Sequence, residues 1–478
     1  MDRILKLVYS HQYEKFEKPQ FVHNGIHPAF SNYLVSKSQE MGNQFNLDQE
    51  INKVVQTNTA QDWCFTTHSN FIFYIIRYYG GSYGDSTNTI HMNDIIDDDA
   101  IYLYPVEIRT TINEFTKDLT FQLEGKTYEY TFLDTIPNQV LQHLRTGKVK
   151  LIINVIHDPG AHSLQMRKIE KMLNSIGIDG SNIIFIWGNN YQKYYEEQPE
   201  SKIKLTYGLL PLQQVAASSK QYPRVTSLGY TSDLVREEDL ERNKTTYRKR
   251  FLCYNRTLKK HRYMLAYLAL KHDLLQDNVF SFLNLVGDEQ HVVHSIYEYT
   301  NDLPESKICA KKIVDMIPYE IDTQHLDSEA IRSFGSDNNL KEVFLGTYIH
   351  LISETLFEEG DPKNPFFSEK TFRPIQNLQP FLFAGNAYSL KLLKELGFKT
   401  FAPFIDERYD EVEDHVQRMK MLEGEILRLK NMDLAEIHAW YYSITDILLW
   451  NQNHLLTFAK SNPFDQVVSD INKFYEIQ

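Results

Sequence analysis

The run Tyr254-Asn255-Arg256-Thr257-Leu258-Lys259-Lys260-His261-Arg262 places four cations within seven residues. It follows a short strand-like run, Arg250 to Tyr254, and opens a helical pattern from Leu258 to Leu270. A helix N-terminus carries about half a unit of positive charge, so acids are favoured there and cations are not. An anion neutralises such an arrangement, and guanidinium forks beside backbone N–H groups suit a phosphate or pyrophosphate. Asn255, Arg256, Lys259 and Arg262 are the candidate ligands; the alternative is a solvated basic helix end paired with nearby acids. A second segment runs from Ser353-Glu354 to Phe367-Ser368-Glu369-Lys370-Thr371-Phe372-Arg373-Pro374. Ser368 suits the N-cap of a helix begun by Glu369. The Glu369 carboxylate has two acceptor oxygens and no donor, which suits paired ribose hydroxyls. Lys370 and Arg373 offer a point charge and a fork to phosphates. The plainer alternative is a capping serine with a charged first turn. Pro374 makes that helix short or kinked.

Strands and helices must carry these residues. Ala100–Tyr104, Val149–Ile156 and Asn182–Trp187 read as strands, the second a near-continuous apolar run of the kind buried on both faces. A helical stretch over about 162–176 joins the last two, which makes a βαβ unit and a parallel sheet. The polar, charged stretch 218–250 reads as a linker, after which the alternation restarts. The expected elements are a strand region at 341–352, a helix at 369–378, an extended run at 380–384, a helix at 388–396 capped by Gly397, and a helical face across 409–430. The fold class is therefore α/β, with two Rossmann-type domains facing a cleft. The expected boundaries are 1–225, 226–440 and a helical tail at 441–478 packing back on the first domain.

Composition sets the outer limits. With 42% hydrophobic and 24% charged residues the 478-residue chain is globular, and its net charge of −13 disfavours binding duplex nucleic acid by charge alone. Cys64, Cys253 and Cys309 are odd in number and form no CxxC pair, which points to a reducing compartment. No long apolar leader or 18-residue apolar window is present, so a cytoplasmic protein without a membrane span is expected. Walker A, GxGxxG, GxSxG and HExxH sequences are absent, which removes most support for kinase, dehydrogenase, hydrolase and zincin readings.

The order Tyr348 to Glu354, a loop, Phe367-Ser368-Glu369-Lys370, a short helix and a strand ending in Ala384-Gly385 resembles the donor-site signature of fucosyltransferase-type GT-B glycosyltransferases. Those enzymes have Thr-Glu-Lys where this chain has Ser-Glu-Lys. The chain is also similar to a set of phage and bacterial proteins. They share the Asn-Arg…His-Arg and Phe-Ser-Glu-Lys-Thr-Phe segments, and the pair Gly397-Phe398-Lys399-Thr400-Phe401 and Asp406-Glu407-Arg408-Tyr409-Asp410. The likeness spans roughly 250–415. It implies a GT-B-like fold and a nucleotide-sugar donor, with Glu369 on the ribose, Lys370 with Arg256 or Arg262 on the pyrophosphate, and Glu354 facing the sugar. Thr355-Leu356-Phe357-Glu358-Glu359-Gly360 replaces the small-residue turn usual in the family, so fucose is not inherited as the donor.

An inverting transfer to a hydroxyl needs a general base. His157 and Asp158, after the buried strand, are the candidates; the alternative is that Asp158-Pro159-Gly160 is a turn. Asn189 is a weaker candidate. Asp97-Asp98-Asp99 precedes its strand and reads as a charged loop, so no metal and no cofactor are expected; His23, His27 and His68 read as surface or satisfied histidines. The expected acceptor is a glycan or a modified DNA base. The competing class is a non-catalytic module that binds glycans or nucleotides.

Overall fold

The computed structural model describes residues 5–9, 28–44, 89–96, 100–107, 119–154, 163–187, 200–207, 234–319, 340–358, 365–460 and 465–475. The chain divides into two compact units, one of Met1–Leu209 with Pro463–Gln478, the other of Leu210–Asn462. The fold is mixed α/β, and each unit is built on its own parallel sheet. Among the described residues no helix is long and apolar enough to cross a membrane.

The first unit holds strands β1 (Leu5–Tyr9), β2 (Thr89–His91), β3 (Ile101–Glu107), β6 (Val149–Asn154), β7 (Ile183–Trp187) and β8 (Lys204–Tyr207). They form a six-stranded sheet in the order β2-β1-β3-β6-β7-β8, every pair parallel. A separate antiparallel hairpin joins β4 (Leu119–Leu123) to β5 (Lys126–Tyr130). Its turn, Glu124-Gly125, has positive φ at both residues (49° and 77°), the backbone a two-residue hairpin requires. Helices in this unit are α1 (Pro28–Met41), α2 (Asn138–Arg145), α3 (Ser163–Ser175) and, from the end of the chain, the helix Asp465–Phe474, whose Asp470 accepts from the Thr206 hydroxyl of β8 (2.8 Å). The apolar side chains of β3, β6 and β7 pack with Val140, Leu144, Ile169 and Leu173 from α2 and α3 in one core. Parallel strands are covered on both faces, which is why β6 and β7 read as continuous apolar runs.

The second unit holds α4 (Glu237–Arg242), β9 (Lys249–Thr257), α5 (Lys260–Lys271), β10 (Val279–Asn284), α6 (Glu289–Thr300), α7 (Leu303–Met316), α8 (Leu340–Leu345), β11 (Thr347–Ser353) and α9 (Glu369–Gln376). It continues through β12 (Phe381–Ala384), α10 (Ser389–Glu395), α11 (His415–Asn431), α12 (Leu434–Ser443) and α13 (Thr445–Lys460). Its four-stranded sheet runs β10-β9-β11-β12, all parallel. All seven residues of β11 are buried. Its polar members are each answered: Gln379 Nε2 donates to Thr347 Oγ1 (2.7 Å), and Arg262 Nε donates to Ser353 Oγ (3.2 Å). His350 Nδ1 lies 3.3 Å from Gln379 Oε1. Such pairing is what makes polar residues tolerable in a buried strand.

Among the boundaries that differ from expectation, three have a local cause. Residues 341–352 split into a short helix and a strand: Gly346 N–H closes on Glu342 O (2.9 Å), ending α8 before β11 begins. The helical face expected from 409 starts at His415, because 407–411 form a 3₁₀ turn and Asp414 caps α11 by accepting from Gln417 N–H (2.7 Å). Strand β9 runs on past Tyr254 to Thr257, because its pairing with β10 persists to Asn284↔Thr257.

Candidate functional site at the carboxyl ends of β9 and β11

From β9 the chain crosses through α5 to β10 on one side; later it enters β11 on the other side of β9 and crosses through α9 to β12. Parallel crossovers are right-handed, so these two outward steps put α5 and α9 on opposite faces of the sheet. The carboxyl ends of β9 and β11 are thus a topological switch point, the place where open α/β sheets hold ligands. Asn255, Arg256, Lys259, Arg262, Glu354, Ser368 and Lys370 all lie at these strand ends or at the helix starts that follow them.

Glu354 is the centre of the arrangement. Its side chain is fully buried. Oε2 accepts from Thr355 N–H (2.8 Å) and Ser368 Oγ (2.7 Å); Oε1 accepts from Ser368 N–H (3.1 Å) and the Thr371 hydroxyl (2.5 Å). Four hydrogen bonds fill the carboxylate, which faces the start of α9. Gly385 explains the close approach behind it: a Cβ there would lie 2.3 Å from Phe383 Cε1 and 3.3 Å from Glu354 Cβ. The consequence is electrostatic. The positive end of α9 is already met by an internal anion.

Helix α5 is different. Its N-cap is Lys259, whose own side chain does not cap it, and its first turn holds no acid. Lys259 Nζ donates to Thr355 O (3.1 Å), and Lys370 Nζ to Ser368 Oγ (3.2 Å). Both ammonium groups therefore gather around the Glu354 clamp. Arg256 is exposed at the end of β9, and Arg373 is half-buried on α9. Asn255 is buried; its Nδ2 donates to Cys253 Sγ (3.2 Å) and, among the described residues, its Oδ1 has no hydrogen-bond partner. Ser368 caps α9, accepting from Lys370 N–H (3.3 Å).

Arg262 is placed otherwise than expected of a cation open to a diphosphate. It is buried, and its guanidinium donates to Thr257 O (2.6 Å), Ser353 O (3.2 Å) and Glu354 O (2.8 Å) besides Ser353 Oγ. It ties the end of β9 to the end of β11. Of Glu369 the backbone, at the first position of α9, is described and the side chain is not. His157, Asp158, Asn189, Asp97-Asp98-Asp99, His23, His27, His68 and Cys64 lie outside the described residues.

Sequence reasoning missed a group beside the clamp. His261 is buried, with Nε2 2.9 Å from Glu354 O and Nδ1 3.3 Å from Glu358 Oε2. The Tyr299 hydroxyl donates to Glu358 Oε1. Arg418, from α11, is buried over the Phe357 ring (4.5 Å) and donates to Phe357 O (2.6 Å). These partners are 59 to 97 residues apart in the chain, too far for any spacing pattern to flag. The Asp406–Asp410 segment acts as a brace: Asp410 accepts from Leu390 and Lys391 N–H at the start of α10 (2.9 and 3.0 Å), and burial raises its carboxyl to about 6.

No protein-family model matches the chain, and no curated protein does. Among solved structures the chain is similar to the GtfA/B complex at 13% identity and a TM-score of 0.29, over 72% of this chain and 63% of that one. It therefore spans a little under two thirds of that protein. It is also similar to the structure of trehalose-6-phosphate from E. coli bound with UDP-2-fluoro glucose (10% identity, TM-score 0.34, 83% of this chain and 96% of that one). A third is an alpha,alpha-trehalose 6-phosphate synthase from Burkholderia multivorans (9% identity, TM-score 0.30, 99% and 98%). Likeness at these scores carries no weight for mechanism, and the mixed α/β class stands on the chain's own two parallel sheets.

Proposed function

We propose that the chain is a glycosyltransferase that moves a sugar from a nucleoside diphosphate donor to a hydroxyl acceptor, with the second unit as the donor-binding half of a GT-B-like enzyme. The observation that carries the reading is the gathering of Lys259, Lys370 and Arg256 at the switch point of the second sheet. Of the two helix starts there, α9 is neutralised by Glu354, so the diphosphate is assigned to the uncapped start of α5 together with those three cations. As the bond to the sugar breaks, charge grows on the departing diphosphate, and preorganised cations stabilise that charge. On this reading they fill the role that a metal ion fills elsewhere. Glu369 binds the ribose hydroxyls, Asn255 offers its open carbonyl oxygen to a donor group, and Arg373 adds charge one turn along α9 from Lys370. Arg262 and Glu354 hold the strand ends and helix start in register and do not touch the donor. The base that takes the acceptor proton is Asp158 or His157, and transfer proceeds with inversion.

Thermal unfolding across GDP, UDP, ADP and CDP tests this. One of the four should raise the melting temperature of the wild type and leave Lys370→Ala unmoved. Unchanged melting with all four would remove the donor site, and binding without any hydrolysis of the matching nucleotide-sugar would favour a non-catalytic module.

A further inference from the structure

The segment 354–358 after β11 is gripped from three helices. Helix α5 and the residue before it supply Arg262 and His261 to Glu354 O and Lys259 to Thr355 O. The Phe357 ring stacks on His261 (5.5 Å, 21°) and lies under the Arg418 guanidinium of α11. Helix α6 gives the Tyr299 hydroxyl to Glu358.

The hydrogen-bond accounting around His261 is incomplete for a neutral ring. A neutral imidazole has a single N–H. Here both ring nitrogens face oxygens: the Glu354 carbonyl, which can only accept, and the Glu358 carboxyl group. Either neutral tautomer beside a carboxylate sets a nitrogen lone pair against an oxygen. One further proton removes the conflict. Tyr299 and Arg418 both favour Glu358 as the anion, which leaves that proton on His261. We propose that His261, Glu358 and Tyr299 form a one-proton latch that positions segment 354–358, and with it Lys259, for the diphosphate.

The charged surroundings are mixed. Arg262 adjoins His261 on α5; Glu298 on α6 is taken by Lys260 (2.9 Å) and lies 3.2 Å from His415 of α11. Asp410 and Asp414 balance Arg418. Burial pushes the Glu358 carboxyl up, yet its hydrogen bonds from His261 and Tyr299 hold it down at about 2. Burial draws the His261 pKa below its ordinary value, and Glu358 opposes that. The latch therefore closes on the acid side and opens as pH rises.

The role rests on the diphosphate reading, and the test separates the two. In full-length protein with ¹⁵N-labelled histidine, assigned through His261→Gln, both His261 ring nitrogens should carry protons at low pH. One proton should be lost as pH rises. The affinity of the bound nucleoside diphosphate should fall by about tenfold across the same midpoint. Glu358→Gln should abolish that step, the ligand's own titration being common to both proteins. Tyr299→Phe removes only a hydroxyl that stabilises the Glu358 anion and should shift the midpoint upward in a protein that still folds. A ring with one proton throughout overturns the latch itself. A normal ring titration with unchanged affinity overturns the positioning role, and so does a wild type that binds none of GDP, UDP, ADP and CDP.

Discussion

Replacing Glu354 with Gln separates a structural carboxylate from one that meets substrate. The carboxylate is buried and accepts four hydrogen bonds. Glutamine keeps one acceptor oxygen and turns the other into a donor, so two of the four donors lose their acceptor. The Ser368 hydroxyl can rotate; the Thr355 and Ser368 amides cannot. Hydrogen bonds to a charged group contribute about 1.5–3 kcal/mol each, and the neutral amide is easier to bury, so a net loss of about 2–4 kcal/mol is expected. For a unit of roughly this size a loss of 1 kcal/mol lowers Tm by about 2–4 °C, which gives a fall of about 5–15 °C. Calorimetry of the full chain reads this directly, with Lys370→Ala as a variant that should melt within about 2 °C of wild type. The reasoning fails if Glu354→Gln melts with the wild type while sugar transfer collapses, for then the carboxylate faces the donor.

Arg256→Ala should weaken the bound nucleoside diphosphate without moving Tm, measured by titration calorimetry; lost stability with unchanged affinity contradicts its assignment. Gly385→Ala should destabilise by about 1–3 kcal/mol in urea unfolding, because the added Cβ meets the Phe383 ring; a neutral result would mean that the ring can move aside. Two buried groups should give opposite pH slopes. His350 is driven by burial to about 3, so between there and about 6.5 the unfolded chain holds the extra proton and stability rises with pH. Asp410, raised to about 6 by burial, holds its proton in the folded state down to the ordinary carboxylate range, so its contribution falls as pH rises from about 4 to 6. Relative to wild type, His350→Phe should lower the slope of unfolding free energy against pH in that window, and Asp410→Asn should raise it, each by up to about 1.4 kcal/mol per pH unit. Slopes that match the wild type contradict both assignments.

How much was legible depended on the range of the forces involved. Strands β6 and β7 announce themselves because burial on both faces demands unbroken β-branched runs. The start of α9 was readable from Ser368, a local capping signal. Strand β10 escaped notice: it is an edge strand of six residues in which Ser281 is buried between Phe280 and Phe282. Arg256, Lys259 and Arg262 stand out together by their crowding in sequence, but crowding does not separate the two exposed cations from Arg262, whose buried fork is committed to carbonyls of β11 and the residue after it, 91 and 92 residues away. His261 sat unremarked in the same basic run. Its burial was predictable only from the apolar residues that follow it through Ala269, and its partner Glu358 belongs to the very stretch where the chain departs from the family pattern it resembles.

Hydrogen exchange with and without each nucleoside diphosphate addresses the central claim most directly. Slowed exchange confined to the amides of Asn255–His261 and Ser368–Thr371 is the predicted result. Protection that appears only in other parts of the chain, with these amides unchanged, would contradict a diphosphate site at the carboxyl ends of β9 and β11.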